Sequence, residues 1–298
     1  MYKQLKNIIK SNKPDLVFTN NIKPNIYGGL ICKKLNIPFI PNITGLGTAL
    51  EYPGILQNIT VSMLKLSMKS AKSILFQNEF NRQFFIEKNI IDKTQRTVLL
   101  PGSGVNIYEY EVYDYPTNEK MNFLFVARIN KAKGIDYYLE AAKYISEKYD
   151  AIFNICGLCE DESYLEKFRF AEVEGYLKYH GEQKSLDNFY KEMNCLIHPS
   201  YYPEGMSNVL LETASHGRPA ITTNRPGCKE TVNDGLTGFI VPIKNQDKLN
   251  EAIEKFIKLS FEEKKQMGIN ARKKIENEFD RKIVVQKYSE EIEYALEE

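Results

Sequence analysis

Two glutamates, Glu204 and Glu212, flank a glycine and the start of a predicted helix, a combination suited to binding a phosphorylated sugar. Gly205 follows Glu204 in a predicted loop, where the backbone must approach a neighbour without an intervening side chain. A helix is predicted over 207–214, and the unpaired amides of its first turn favour anions, phosphates above all. The expected donors are the amides of Gly205, Met206, Ser207 and Asn208.

Glu212 is expected two turns into that helix, facing the same crevice. A carboxylate there can accept hydrogen bonds from a vicinal diol such as ribose, as an acidic residue does in dinucleotide sites. Diphosphate, ribose and a further polar group together indicate a nucleotide-sugar.

Two cations follow the first strand of the second half of the chain. Arg128 is expected at the end of that strand and Lys133 at the start of the next helix, so both point toward the same crevice. A guanidinium and an ammonium there can neutralise a departing diphosphate. Because basic loops are common, Arg128 and Lys133 indicate a diphosphate site only in combination with Glu204 and Glu212.

The stretch 195–242 resembles the Glu-x7-Glu signature region of retaining GT-B glycosyltransferases of family 4. Two glutamates at this spacing alone would mean little, and the 48-residue pattern makes the signal specific. A solvated acidic turn on an ordinary βαβ unit is the alternative. The resemblance is carried by Glu204-Gly205-Met206-Ser207-Asn208-Val209-Leu210-Leu211-Glu212, by Gly217-Arg218-Pro219 and by Pro226-Gly227-Cys228-Lys229-Glu230.

The resemblance implies transfer of a hexosyl or N-acetylhexosaminyl group, with retention, from a UDP-linked donor to a saccharide or polyprenyl-diphosphate-linked acceptor. It implies that Arg128 and Lys133 stabilise the leaving diphosphate, while Glu204 holds the donor sugar and Glu212 the ribose. Gly181, after a strand, resembles the backbone that receives the base. No cofactor and no obligatory metal are implied, because cations stand where a metal would otherwise be.

The loop 44–48, Thr-Gly-Leu-Gly-Thr, is expected at the carboxyl end of a parallel strand, which faces ligands in open α/β sheets. Related enzymes often place a histidine nearby to touch the donor sugar, whereas this sequence has Asn42 and Thr44. The departure leaves the sugar contact open, with Thr44 as a substrate-binding candidate. The Thr-Gly-Leu-Gly variant resembles the subset that builds capsule, O-antigen or N-glycan precursors on polyprenyl diphosphate.

Strands and helices alternate on both sides of a polar, tyrosine-rich stretch, which predicts an α/β fold of two doubly wound Rossmann-like domains. With the resemblance, this is the GT-B fold, whose domains face a cleft. The expected parts are a partial acceptor-side domain (1–108), a linker (109–120), a nucleotide-sugar-binding domain (121–280) and a helix that crosses back to the first domain (281–298).

The first domain is shorter than the resemblance predicts, since family members usually have a Gly-rich loop and further strands before the equivalent of Pro14-Asp15. A fragment or alternate start, a degenerate copy, and a partner chain that completes the domain all stay open. An incomplete parallel sheet would expose an edge. The rival function is therefore a non-catalytic donor-binding subunit. The enzyme rival within this fold is a nucleotide-sugar epimerase or a phosphorylase, and a phosphorylase would need a cofactor lysine or a phosphate site beyond Arg128 and Lys133.

The net charge of +1 gives no global case for nucleic acid as a partner. The five cysteines lack the even spacing of a disulfide framework, and the N-terminus has no signal segment, so the sequence predicts a cytoplasmic protein. No stretch approaches the roughly 18 apolar residues that span a bilayer. A basic helix over 55–70 carries Lys65 and Lys69, with Lys72 just after it, which suits peripheral contact with the inner face of the cytoplasmic membrane. An ordinary solvated lysine face is the alternative.

Cys156 and Cys159 have the spacing of a redox pair or half a zinc site. No second cysteine or histidine pair follows at ligand spacing, which favours a structural role and no metal. The three histidines, His180, His198 and His216, are expected to make structural hydrogen bonds, because none matches a catalytic position.

Overall fold

The computed structural model describes residues 1–117 and 119–297, and the chain groups into two packed units. Unit 1 contains Met1–Gly104, the short segment Pro203–Met206 and the residues from Arg281 onward. Unit 2 contains Val105–Tyr202 and Ser207–Asp280. The two signature glutamates therefore belong to different units.

Each unit is built on one parallel sheet. In the described residues, unit 1 has the strand order β1-β2-β3-β4 and unit 2 the order β10-β9-β8-β5-β6-β7. The strand pairings among the described residues are all parallel, so crossover connections are required, and helices supply them. The strands are β1 (Val17–Asn20), β2 (Phe39–Ile43), β3 (Ile74–Phe76), β4 (Thr97–Leu99), β5 (Met121–Val126), β6 (Ala151–Cys156), β7 (Leu177–Tyr179), β8 (Cys195–His198), β9 (Ala220–Thr223) and β10 (Gly238–Val241).

Helices cover Ile55–Met68, Asn208–Ser215 and Arg281–Glu297, close to the predicted ranges 55–70, 207–214 and 281–298. Short 3₁₀-helices cover Ile107–Glu109, Lys131–Lys133 and Lys229–Thr231. The α-helices are α1 (Tyr2–Asn12), α2 (Ile22–Leu35), α3 (Gly47–Glu51), α4 (Ile55–Met68), α5 (Glu79–Glu87), α6 (Ile135–Ser146), α7 (Ser163–Val173), α8 (Asp187–Glu192), α9 (Asn208–Ser215), α10 (Gln246–Lys258), α11 (Phe261–Glu278) and α12 (Arg281–Glu297).

The final helix, α12, packs within unit 1 although it follows unit 2 in the chain. Its Ala295 joins an apolar cluster with strand residues of the first sheet. Tyr288 accepts a hydrogen bond from Asn42 Nδ2 at 2.8 Å, and the buried Glu291 pairs with Arg96 at 2.8 Å. These contacts make α12 part of the core of unit 1.

Unit 2 has an aromatic core around its central strands. Phe123 and Phe153, on the paired strands β5 and β6, lie with ring centroids 5.0 Å apart, and both are fully buried. Tyr138 of α6 packs against Phe153, and its hydroxyl donates to the carbonyl of Asn154 at 2.8 Å. The polar end of this tyrosine is thus satisfied inside the core.

Two elements differ from the sequence prediction. The loop predicted over 44–48 is shortened, because α3 already begins at Gly47, and β10 was not predicted at all. Among the described residues β1 pairs only with β2 and therefore lies at the edge of its sheet. No helix in the part of the chain that the structure describes is both long and apolar enough to cross a membrane.

Candidate functional site

The loop after β5 is held against the loop after β8. The amide of Tyr201 donates to the carbonyl of Ala132 at 3.0 Å. Gly134 has φ +84°, and a Cβ added there would lie 2.2 Å from the carbonyl oxygen of Pro199. Only glycine fits this position, because both the left-handed backbone and the close contact exclude a side chain. The segment that carries Arg128 and Lys133 is therefore fixed at the carboxyl end of the unit 2 sheet.

Arg128 has a carboxylate partner in the loop after β6. Its Nη1 donates to Glu160 Oε1 at 2.8 Å, and Asn130 Nδ2 donates to Glu160 Oε2 at 2.7 Å. The hydrogen bond from Asn130, together with the charge of Arg128, lowers the pKa of Glu160. The Arg128 side chain is 57% exposed. An incoming phosphate could replace the carboxylate, because a guanidinium binds both groups in the same way.

Lys133 lies beside an aromatic ring. Its Nζ is 4.7 Å from the ring centroid of Tyr202, within cation–π distance. The amide of Lys133 donates to Asn130 Oδ1 at 3.2 Å, which caps the short 3₁₀-helix that ends there. The Tyr202 ring and the Asn130 cap both limit the positions that the Lys133 ammonium group can take.

Glu212 lies half-buried in α9 and accepts a hydrogen bond from the Tyr190 hydroxyl at 3.3 Å. Burial raises the pKa of Glu212, and the bond from Tyr190 offsets part of that rise. The carboxylate keeps one oxygen outside this bond, so it can accept from a hydroxyl of a ligand.

A buried arginine, Arg218, fixes the backbone behind Glu212. Its side chain is fully buried and donates to backbone carbonyls: Nε to Tyr190 at 2.8 Å, Nη1 to Tyr113 at 3.0 Å and Nη2 to Asp114 at 2.8 Å. Burial lowers its pKa to about 10. Because Tyr190 in turn bonds Glu212, Arg218 positions the carboxylate indirectly.

The sheet order brings the segments that carry Arg128 and Glu212 to one end of the unit 2 sheet. β5 and β8 are parallel neighbours, so the loop carrying Arg128 and the connection leading into α9 leave the same end of the sheet. Gly181 follows β7 at this end, with φ +68° and its carbonyl bonded by the amide of Gly157 at 2.8 Å. In open α/β sheets ligands bind at this carboxyl end.

Gly205 is a close-packing position within unit 1. A Cβ added there would lie 2.2 Å from the Thr44 carbonyl oxygen and 2.4 Å from Gln77 Oε1. Asn78 Nδ2 donates to the carbonyl of Gly205 at 2.6 Å and to that of Glu204 at 3.4 Å. The groups that exclude a side chain at Gly205 are thus Thr44 and Gln77 of the same chain.

The start of α9 corrects the prediction for the amide donors. The helix begins at Asn208, so of the four expected donors only this residue lies in the first turn. The amide of Ser207 donates to the carbonyl of Gly227 at 2.7 Å and is not an unpaired donor. Gly205 and Met206 precede the helix and are both buried.

Thr44 belongs to unit 1, and its hydroxyl donates to Asn21 Oδ1 at 2.7 Å. Asn42 is buried against α12 and serves the packing of unit 1. The predicted site residues in unit 1 are Thr44, Glu204, Gly205 and Met206, and those in unit 2 are Arg128, Lys133, Gly181, Ser207, Asn208 and Glu212.

Comparison with known proteins decides the family. Residues 114–274 match the family described as "Glycosyl transferases group 1", and residues 1–78 match "Glycosyl transferase 4-like". The chain belongs to the group 1 glycosyltransferases. It is therefore a transferase of glycosyl groups, as the sequence predicted.

Two curated relatives span nearly all of this group 1 glycosyltransferase. The capsular polysaccharide biosynthesis glycosyltransferase CapM of Staphylococcus aureus is 28% identical, and the match covers 95% of this chain and 79% of CapM. The N,N'-diacetylbacillosaminyl-diphospho-undecaprenol alpha-1,3-N-acetylgalactosaminyltransferase of Campylobacter jejuni is 23% identical, with 95% of this chain and 78% of that protein covered.

A solved structure shows the fold of the group 1 glycosyltransferase. HepE of Anabaena, crystallised with UDP and glucose, superposes with a TM-score of 0.83 over 98% of this chain and 80% of its own. At 15% identity this likeness shows the fold alone. The predicted α/β GT-B fold class is confirmed.

The cysteines and histidines of the group 1 glycosyltransferase have structural surroundings. Cys156 and Cys159 form no disulfide, and burial raises the pKa of Cys156 to about 12, which disfavours a reactive thiolate. In residues 1–117 and 119–297 no group of His, Cys, Asp and Glu could hold a metal ion. The histidine contacts are His180 Nε2 with Asn154 Oδ1 (2.7 Å), His198 Nε2 with Ser207 Oγ (3.2 Å) and His216 Nδ1 with the Glu111 carbonyl (2.8 Å).

Sequence reasoning did not identify Asn130, Glu160, Tyr190 or Arg218 as parts of the site. Glu160 and Tyr190 follow β6 and β7, so their proximity to Arg128 and Glu212 depends on strand order. Arg218 lies within the Gly217-Arg218-Pro219 motif that carries the resemblance, and its signal was a charged residue just before a buried strand.

Proposed function

We propose that this chain transfers a hexosyl or N-acetylhexosaminyl group from a UDP-sugar to a polyprenyl-diphosphate-linked saccharide during synthesis of a capsule or lipopolysaccharide. The observation that supports the proposal is that the loop of Arg128 and Lys133 and the connection into α9, the helix of Glu212, leave neighbouring parallel strands at the same end of the unit 2 sheet, in a chain of this family. The names of CapM and the Campylobacter enzyme support the acceptor class, and HepE with UDP and glucose supports the donor class. The reaction would take place on the cytoplasmic side of the membrane.

The donor diphosphate would contact Arg128 and Lys133. Its phosphates would displace Glu160 from the Arg128 guanidinium, exchanging one anion for another of higher charge. The N-terminus of α9, at Asn208, adds partial positive charge at the same carboxyl end of the sheet. These groups neutralise the leaving UDP, so the proposed reaction needs no cofactor and no metal ion.

Glu212, oriented by Tyr190, would accept from the ribose hydroxyls, and the backbone at Gly181 would receive the base. Glu204 would contact the donor sugar, with Thr44 and the Gly205–Met206 backbone as further substrate contacts. The bond between the anomeric carbon and the β-phosphate oxygen breaks as the acceptor oxygen attacks from the same face. The acceptor proton passes to the leaving phosphate, which gives retention without an enzymic nucleophile.

A second candidate is a donor-binding subunit that works with a partner chain. It is favoured by β1, which has one paired neighbour in the described residues and leaves a sheet edge open to another strand. Such a subunit would bind UDP through unit 2 but would not turn over a UDP-sugar alone.

Calorimetric titration with UDP, followed by assays of UDP-sugar turnover, tests the proposal. Glu212→Ala and Arg128→Ala should each weaken UDP binding about tenfold or more, since each removes a charge-assisted hydrogen bond. Lys265→Ala, an exposed lysine of α11, is the matched control and should bind as the wild type does. Binding unaffected by both site variants would overturn the site. Binding without turnover would favour the subunit, and the anomeric configuration of a product decides retention.

A further inference from the structure

Helix α4 presents apolar side chains to solvent. Ile55 is 80% exposed, Ile59 53% and Leu66 54%, and the spacing of four and seven residues places them on one stripe. Leu56, 63% exposed, and Tyr52, 67% exposed in the turn before the helix, extend the patch. Other residues of α4 fill the core of unit 1. The helix is therefore apolar on two faces, and one of them is uncovered.

Lysines border the C-terminal end of this stripe. Lys65 of α4, Lys69 directly after the helix and Lys93 before β4 line a cavity of about 1130 Å³ that also contacts Leu66. None of these three lysines forms an ion pair with a residue in 1–117 or 119–297. The acidic residue lining the cavity, Asp92, accepts hydrogen bonds from the Thr94 amide and hydroxyl at 2.9 and 2.8 Å. The cavity is consequently cationic.

The charge of the whole chain is unevenly divided. Residues 1–104 carry 14 Lys and Arg against 5 Asp and Glu, whereas residues 105–298 carry 26 against 34. The near-neutral total of +1 thus conceals a strongly basic first part, to which α4 belongs. Such asymmetry is typical of proteins with an extended anionic partner.

We infer that the α4 surface, formed by Tyr52, Ile55, Ile59, Lys65, Leu66 and Lys69, docks the chain on an anionic phospholipid bilayer. The apolar stripe would enter the boundary between head groups and acyl chains, while the lysines contact lipid phosphates. Lysine is depleted from protein–protein interfaces, so an apolar stripe bordered by unpaired lysines fits a bilayer better than a folded partner. The inference does not depend on the proposed function, since docking requires neither donor nor acceptor.

Co-sedimentation of the full chain with vesicles tests the inference. Vesicles of phosphatidylcholine mixed with phosphatidylglycerol should pellet the chain, and pure phosphatidylcholine should do so much less, with binding weakened by added salt. Lys65→Gln with Lys69→Gln should reduce binding to the anionic vesicles about 30-fold. Ile55→Ser with Ile59→Ser should reduce binding to a similar or greater extent, because the inserted apolar area is lost.

Two matched controls lie in unit 2. Lys265→Gln with Lys273→Gln on α11 removes the same charge, and Phe170→Ser with Val173→Ser on α7 removes residues that are 60% and 85% exposed. Both pairs should leave vesicle binding unchanged. Thermal melts followed by circular dichroism should show the wild-type unfolding of unit 1 in the same α4 variants, which establishes that they are folded.

Three outcomes would overturn the inference. They are equal pelleting with neutral and anionic vesicles, equal losses in the α4 and control variants, or a dimer in solution that Ile55→Ser with Ile59→Ser dissociates while vesicle binding is absent. The last result would assign the surface to contact between copies of the chain. Failure of UDP binding in the wild type would bear on the proposed function alone.

Discussion

At Arg128, the carboxylate of Glu160 occupies the position that the proposed diphosphate would take. Glu160→Gln keeps a group that can bond Asn130 but removes the competing charge. UDP should therefore bind roughly two- to fivefold more tightly, the range expected for an exposed ion pair. Calorimetry on both proteins measures the change. Weaker binding in the variant would show instead that Glu160 positions Arg128 for the donor.

Glu212 combines a cost to folding with a role in binding. Because burial raises its pKa, the folded chain holds this proton more tightly than the unfolded chain, and the charged form opposes folding. That cost is present above the raised pKa and disappears as the pH falls through it. Glu212→Gln should thus raise the melting temperature near pH 8, with the difference shrinking toward about pH 5.

The same variant should bind UDP about tenfold more weakly, since a charged acceptor is lost. For the wild type, UDP affinity should begin to fall at a higher pH than it would with an ordinary glutamate. Thermal melts and UDP titrations across this pH range check both statements. A variant that melts lower than the wild type at every pH would contradict the burial argument.

At the scale of elements, two glycines with similar φ angles allow the effect of backbone strain to be distinguished from the effect of a close contact. Gly134 has φ +84° and lies against Pro199, whereas Gly175 has φ +82° and open space where a Cβ would go. Gly175→Ala should cost about 1 kcal/mol of unfolding free energy, and Gly134→Ala about 2–4 kcal/mol. Gly134→Ala should also weaken UDP binding, because the segment carrying Arg128 must shift. Urea unfolding and calorimetry measure both effects, and equal destabilisation would mean that the contact with Pro199 is unimportant.

Apolar spacing identified the predicted helices, because each buries one face, and short apolar runs identified strands such as β2 and β8, which are buried on both faces. Neither signal identified α3, a helix of five residues, or the strand Gly238–Val241. Periodicity also could not predict the ion pair between Arg128 and Glu160. That ion pair requires β5 and β6 to be neighbours, and apolar spacing carries no information on which strands become neighbours.

For the whole molecule, α12 connects the end of the chain to the core of unit 1. The expectation that it crosses back came from the resemblance, since its own sequence shows only an amphipathic helix. Arg128, Lys133 and Glu212 all belong to unit 2. Loss of a contact made by α12 should therefore change the stability of unit 1 and leave UDP binding intact.

The Arg96–Glu291 pair provides that test, because its two members differ in burial. The Glu291 side chain is 2% exposed and that of Arg96 44%. Arg96→Ala leaves a buried carboxylate without its cation and should cost about 3 kcal/mol near neutral pH, whereas Glu291→Gln leaves only an exposed guanidinium and should cost less.

The pH dependence of unfolding then identifies the ion pair as the cause. Burial alone would raise the pKa of Glu291, but the hydrogen bonds and charge of Arg96 outweigh it and lower the pKa. The stabilisation is consequently present above the pKa of the unfolded chain and is lost as the pH falls through the lower folded value. In Arg96→Ala the carboxyl should take up a proton more readily, so the gap from the wild type should narrow as the pH approaches 4. A gap independent of pH would point to lost packing on the Tyr294 ring, 4.1 Å from the Arg96 guanidinium, rather than to charge.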